Sequence, residues 1–192
     1  MSIDKVVLQE DEVQRALVRI AHEIAERNPT ADGSTLGLVG IHRRGAFLAS
    51  RLHAVLEDLL ESALPLGDLD IGFYRDDVLT RPVGDRPSAP VVHASHIEFD
   101  VTARTIIIVD DVLYTGRTVR AAIDALFDYG RPDCVQLAVL ADRGHRELPI
   151  RPDYVGKNLP TSVDEHVYVR VRELDGRDEV AIGSPELVEA SA

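Results

Sequence analysis

IIIVDDVLYTGRTVRAA, residues 106–122, sets an apolar run against two adjacent carboxylates, Asp110 and Asp111, and follows them with a turn of hydroxyl residues and glycine. Val119, Ala122, Ile123, Leu126 and Phe127 then recur at helical spacing. The pattern predicts a strand over 105–109 and a helix that Gly130 and Pro132 end. Upstream, TLGLVGI (35–41) has the short, apolar, glycine-flanked form of a buried strand. After HRRG, Phe47, Leu48, Leu52, Val55, Leu56 and Leu59 predict a second helix. Earlier still, Val13, Leu17, Ile20 and Ile24 share one helical face, which NPTADG (28–33) terminates. Downstream, CVQLAVL (134–140) reads as a strand, HVYVRV (166–171) and EVAI (179–182) alternate like strands, and DIGFYR (70–75) is a further strand candidate. Strands alternating with helices predict an α/β fold, a mostly parallel central sheet with helices on both faces.

With 192 residues, 45% of them hydrophobic and 28% charged, the chain suits one globular domain over 1–192. Residues 76–95 hold Pro82, Pro87 and Pro90 and lack periodicity, which predicts a long functional loop. Residues 187–192 read as a frayed tail. No apolar run is long enough to span a membrane and no signal-peptide layout is visible, so a cytoplasmic location is expected. The one cysteine, Cys134, is expected to pack in the core. A net charge of -12 argues against indiscriminate coating of nucleic acid but allows a local basic face.

Ligands of open α/β sheets bind beyond the carboxyl ends of the strands, where Asp110 and Asp111 fall. Residues 114–118 can aim backbone N–H groups and the Thr115 and Thr118 hydroxyls at one point, beside a helix N-terminus. A phosphate fits that point. The carboxylates would repel it but accept hydrogen bonds from a neighbouring diol, so turn and acids together describe a ribose 5-phosphate. A solvated strand end and a plain helix cap are the bland alternatives. A receiver domain is disfavoured because only 82 residues follow Asp110, and no G-x-x-x-x-G-K-[ST] occurs.

VDDVLYTGRT resembles the phosphoribosyl pyrophosphate (PRPP) motif of type I phosphoribosyltransferases. RALVRIAHEI, VGIHRRG, YRDD and GRP…VQLAVLADRGHRELPIRPDYVGKNLPTS extend the likeness, in order, to the branch that joins uracil phosphoribosyl transfer to regulation of pyrimidine operons. The resemblance implies a flexible lid over residues 76–95 and a small C-terminal hood. It implies that Asp110 and Asp111 hold the ribose hydroxyls, with Val112, Leu113, Tyr114, Thr115, Gly116, Arg117 and Thr118 around the 5-phosphate. Backbone amides around Arg43, Arg44 and Gly45 would grip the pyrophosphate with Mg²⁺, an ion held mainly by PRPP with Asp110 or Asp111 in reach. Asp110, Asp111 and Arg44 are the catalytic candidates, and Tyr74 and Arg75, which stand with Asp76 and Asp77 at the root of the lid, are implied to bind PRPP and UMP. Arg43 replaces a small hydroxyl residue common in relatives.

The implied reaction joins uracil to PRPP, giving UMP and pyrophosphate through a transition state resembling a sugar cation, with no general base assigned. Base recognition is placed between Asp142 and Gly156, with Tyr154 stacking on the base and the Val155 backbone reading its edge; a half-buried core role is the other reading of Tyr154. The branch also implies UMP-dependent binding of a pyrimidine-operon leader mRNA, causing attenuation, through Arg19, His22, Arg143, His145, Arg146, Arg151 and Lys157. Val18, Asp164 and Glu165 depart from relatives on that face. A homodimer or larger homo-oligomer is implied. Another base specificity, hypoxanthine or guanine, and a catalytically silent PRPP- and UMP-sensing RNA regulator are the alternatives.

Overall fold

A computed structural model describes residues 5–72 and 95–184. The chain runs β1 (Lys5–Leu8), α1 (Glu10–Arg27), β2 (Leu36–Ile41), α2 (Arg44–Leu60), β3 (Leu66–Leu69), β4 (Thr105–Leu113), α3 (Arg117–Phe127), β5 (Cys134–Asp142), β6 (Tyr154–Asn158), β7 (His166–Arg170), α4 (Arg172–Asp175) and β8 (Glu179–Gly183). Five strands form a parallel sheet in the order β3-β2-β4-β5-β6.

The two-residue repeat of a strand sorts its side chains between two layers. Leu36 and Leu38 of β2, Ile107 and Val109 of β4, and Ala138 and Leu140 of β5 join the core beneath α1 and α2. Val39, Ile41, Ile106, Ile108, Leu137 and Val139 join the core beneath α3. Each fully buried Leu, Ile or Val contributes about 1.5–3 kcal/mol, so the double-sided sheet is the main source of stability. Val13, Leu17, Ile20 and Ile24 are all buried, as their spacing predicts. At the start of α1 the Gln9 N–H donates to the Glu12 carboxylate at 2.9 Å, and Glu10, Asp11 and Glu12 complement the helix dipole.

Several expectations are corrected. β4 does not stop at Val109: it continues through both aspartates because β5 runs alongside, pairing Val112 with Ala141 and Leu113 with Asp142. Of the strand anticipated at DIGFYR, residues 70–72 are not in a strand and 73–75 lie outside the described residues; the described strand here is β3, whose partner β2 ends opposite Leu69. Cys134 is exposed, being the first residue of β5 at the rim of the sheet. Phe127 and Leu59 also lie exposed, in the last turns of their helices. The hood is a three-stranded antiparallel sheet, β1-β8-β7, so it takes a strand from the N-terminus as well. Tyr74, Arg75, Asp76, Asp77, the lid apart from Ser95 and the 187–192 tail lie outside the described residues.

Candidate active site

The carboxyl ends of β2, β4 and β5 converge, as the parallel topology requires. Asp110 is 5% exposed, and its carboxylate accepts the Asp111 N–H at 2.9 Å. The Asp111 carboxylate accepts the Val112 N–H at 2.8 Å and opens onto a cavity of about 200 Å³ that Arg44, Asp175 and residues 167–170 of the hood also line. Burial pushes the Asp111 carboxyl above its ordinary value, against the pull of the Val112 N–H, Asp110 and the Arg44 charge.

The turn after β4 forms a second cavity, of about 290 Å³, lined by residues 112–118 and Glu147. Gly116 has φ +94°, a left-handed conformation that a side chain would strain. The Thr115 carbonyl accepts the Glu147 and Leu148 N–H groups at 3.0 and 3.1 Å, which ties the turn to the segment after β5. The first-turn N–H groups of α3 have no helical acceptors, and they face a site suited to an anion. Arg117 opens α3 and donates its Nε to Glu147 at 2.7 Å. Glu147 was not legible as a site residue, because nothing in HRELP marks which charge returns to the turn.

Arg43 and Arg44 lie where β2 passes into α2; Arg43 is exposed and the His42–Arg43 peptide is cis. Arg44 is engaged by Asp175 of α4, its Nη2 donating at 2.9 and 3.2 Å and its Nε at 3.3 Å. Although burial alone would raise it, the Asp175 carboxyl is held below its ordinary value, chiefly by Arg44 and the Val171 N–H. Gly45 abuts β4: a Cβ there would stand 2.5 Å from the Val109 carbonyl oxygen. Gly45→Ala is therefore expected to push α2 off the strand that carries Asp110, costing about 1–3 kcal/mol. A lower melting temperature with circular dichroism otherwise retained would confirm the close approach.

The base-binding assignments separate. Asp142, at the carboxyl end of β5, accepts the Arg146 Nη2 at 2.6 Å and the Gly144 N–H at 2.9 Å. Tyr154 is 2% exposed and belongs to the core beneath α1; its hydroxyl donates to Gln136 at 2.7 Å, with Asn28 3.3 Å away. Its phenol is raised by that burial, against the Asn28 hydrogen bond. The stacking role is thus corrected in favour of the core reading, since Tyr154 pairs with Ala138, short of the Asp142–Asn158 end of the ladder. The Val155 and Gly156 carbonyls accept Arg19 Nη2 at 2.9 and 2.6 Å, so these acceptors are occupied by α1. Sequence reasoning missed the segment that does stand at this end. Arg143, 6% exposed, donates to the Thr161 hydroxyl at 3.2 Å and the Val163 carbonyl at 3.0 Å, and its guanidinium lies 3.9 Å from the centre of the Tyr114 ring. Val163 is an apolar side chain 65% exposed beside that group.

The basic residues expected to face RNA also divide. His22, Arg151 and Lys157 are exposed, and the Arg19 and Arg27 contacts bring α1 alongside β6. His145 is exposed too, with Nε2 2.8 Å from the Thr161 carbonyl. Arg143 is buried, as described, and Arg146 is turned inward. Arg146 donates to the carbonyls of Ile150 at 3.0 Å, Tyr114 at 2.8 Å, Gly144 at 3.1 Å and Leu113 at 3.4 Å, besides Asp142. These two are therefore removed from the exposed face, because the Arg143 donors go to Thr161 and Val163 and those of Arg146 go to Asp142 and to carbonyls at the turn after β4 and in the segment after β5.

A parallel five-stranded sheet with an anion-binding turn after its central strand and carboxylates beside it defines a phosphoribosyl transferase domain, and the model of that family matches residues 9–173. A protein of Roseiflexus sp. (strain RS-1) named Bifunctional protein PyrR is 58% identical over 90% of this chain and 91% of its own. Those of Deinococcus radiodurans and Halalkalibacterium halodurans, with the same name, are 53% and 51% identical, covering 94% of this chain and 94% and 97% of theirs. The chain belongs to this PyrR family of phosphoribosyl transferase-domain proteins. Among solved structures, hypoxanthine phosphoribosyltransferases of Staphylococcus aureus and Trypanosoma cruzi match with TM-scores of 0.68 and 0.69, at 21% and 18% identity. Each covers 95% of this chain, matched over 93% and 97% of its own, and at that identity the likeness is one of fold. Among the described residues no helix is long and apolar enough to cross a membrane.

Proposed function

We propose that the protein is a uracil phosphoribosyltransferase that also regulates pyrimidine-biosynthesis genes by binding leader mRNA when UMP is bound. The observation that best supports the enzyme is the joining of Asp111, Arg44 and the 114–118 turn at one end of the sheet, in a chain of the PyrR family. In this reading the turn N–H groups and the Thr115 and Thr118 hydroxyls hold the 5-phosphate, and Asp111 with Asp110 accepts the ribose hydroxyls. Arg44 exchanges Asp175 for the pyrophosphate, beside the amides of Arg43 and Gly45. The uracil nitrogen attacks the anomeric carbon as the bond to pyrophosphate breaks. Holding both substrates in line supplies much of the rate.

Two strand-end carboxylates, one of them buried, suit Mg²⁺, which takes oxygen ligands and shares them with substrate phosphates. When bound, Mg²⁺ neutralises charge on the departing pyrophosphate. PRPP would hold it mainly, with Asp110 or Asp111 in reach as the residue of this chain that would share it. Asp142, Arg143 and the exposed Val163 stand nearest to where the base must lie, beyond the ends of β4 and β5.

Pyrophosphate release measured with PRPP, Mg²⁺ and each of uracil, hypoxanthine, guanine and orotate is expected to show turnover with uracil. Turnover with a purine alone would replace the base assignment, and silence with every base would leave a PRPP-sensing regulator. For RNA, the exposure of His22 in α1, Lys157 in β6 and Arg151 just before β6 gives the support, and each phosphate contact adds about one to the salt slope of binding.

A further inference from the structure

His42, Asp68 and His96 form a cluster that phosphoribosyl transfer leaves unused. Three rigid pieces of backbone deliver them. His42 follows β2 directly, its N–H donating to the Leu69 carbonyl at 2.8 Å, and Asp68 lies within β3. His96 is fixed across from Asp68 by two backbone hydrogen bonds of 3.0 and 2.9 Å, one in each direction. The side chains converge on one oxygen: His42 Nε2 is hydrogen-bonded to Asp68 Oδ1, and His96 Nδ1 lies 3.3 Å from it. One ligand atom from each of the three residues lies within 4.8 Å of the others.

We infer that this cluster binds one divalent transition-metal ion of borderline softness, with Zn²⁺ the ion it suits best. Two imidazole nitrogens and one carboxylate oxygen are a donor set that zinc accepts with a further position open, whereas Mg²⁺ favours oxygen alone. Zinc bonds of about 2.0–2.2 Å place tetrahedral ligand atoms about 3–4 Å apart; the 3.3 Å between His96 Nδ1 and Asp68 Oδ1 already falls in that range, and only the separation of the two imidazoles, within 4.8 Å, can exceed it. The His96 side chain is 62% exposed and free to close that gap by rotation. The open position faces a cavity of about 660 Å³ lined also by Arg43, Phe47 and Ser50, so a water or a small anion has room to complete the shell. The bound ion would clamp the end of β2 to the segment that crosses β3.

The experiment is a Zn²⁺ titration of the chelator-stripped full chain against a chromophoric competitor, with Co²⁺ as a spectroscopic stand-in. One ion per chain, a higher melting temperature and tetrahedral Co²⁺ absorption are expected, unaffected by excess Mg²⁺. His96→Ala, at an exposed position, should keep its circular dichroism and metal-free melting temperature while binding Zn²⁺ at least about tenfold more weakly. Asp68→Asn should weaken it likewise. Absence of stoichiometric binding to the native chain, or undiminished binding in both variants, would overturn the assignment.

Discussion

Asp111→Asn is expected to cut turnover with PRPP by about 100-fold or more while making the ligand-free protein more stable at neutral pH. The two effects share one cause. Burial pushes the Asp111 carboxyl above the ordinary 3.8 against the hydrogen bonds and the Arg44 charge that favour ionisation, so keeping it ionised in the fold costs stability. Asparagine keeps an oxygen to accept the Val112 N–H but carries no charge. The sign follows from linkage. Below the unfolded value both states hold the proton and the cost is absent; it grows as pH rises and is complete above the raised folded value. The variant's advantage in melting temperature should therefore grow as pH rises above the ordinary 3.8 and vanish as pH falls below it. Melting curves across that range, beside pyrophosphate-release kinetics, check both halves; unchanged PRPP kinetics would remove Asp111 from the ribose site.

Arg146→Ala is expected to destabilise the protein by about 3 kcal/mol, lowering its melting temperature by roughly 6–12 °C, and to raise the KM for PRPP. Its guanidinium holds the Leu113 and Tyr114 carbonyls at the start of the anion-binding turn and neutralises Asp142 at the end of β5. Truncation strands those acceptors and a carboxylate in a largely buried place. Loss of RNA binding by this variant would accordingly say nothing about an RNA contact. Arg151→Ala and Lys157→Ala are the informative substitutions. Each should lower leader-RNA affinity, reduce the salt slope by about one and leave uracil turnover and melting temperature unchanged. Melting curves, PRPP kinetics and RNA titrations at several salt concentrations distinguish these cases; an Arg146→Ala protein of native stability would contradict the inward role.

The alternation of strands and helices along the chain was enough to predict a parallel α/β sheet, and residues 106–122 to predict a strand, carboxylates and a glycine turn before a helix, because these are local consequences of sequence. A near-continuous apolar run makes a strand that can be buried on both faces, and a glycine at positive φ before a helix makes the turn. The same locality made the face of α1 legible through Val13, Leu17, Ile20 and Ile24. Partner choice was not local. Tyr154 in RPDYVGK can be read as a base-stacking or a half-buried core residue until its register against Ala138 places it over Gln136 in the core. Arg143 and Arg146 read as a basic surface until the fold brings carbonyls and the Tyr114 ring around them. Asp175 meets Arg44 across 131 positions of sequence, and Asp68, His42 and His96 meet only where β2, β3 and the crossing segment run together. Sequence determined where strands, helices and the phosphate turn form, since those depend on neighbours along the chain. Tertiary structure alone decided which charges are exposed and which are consumed inside, since that depends on neighbours in space.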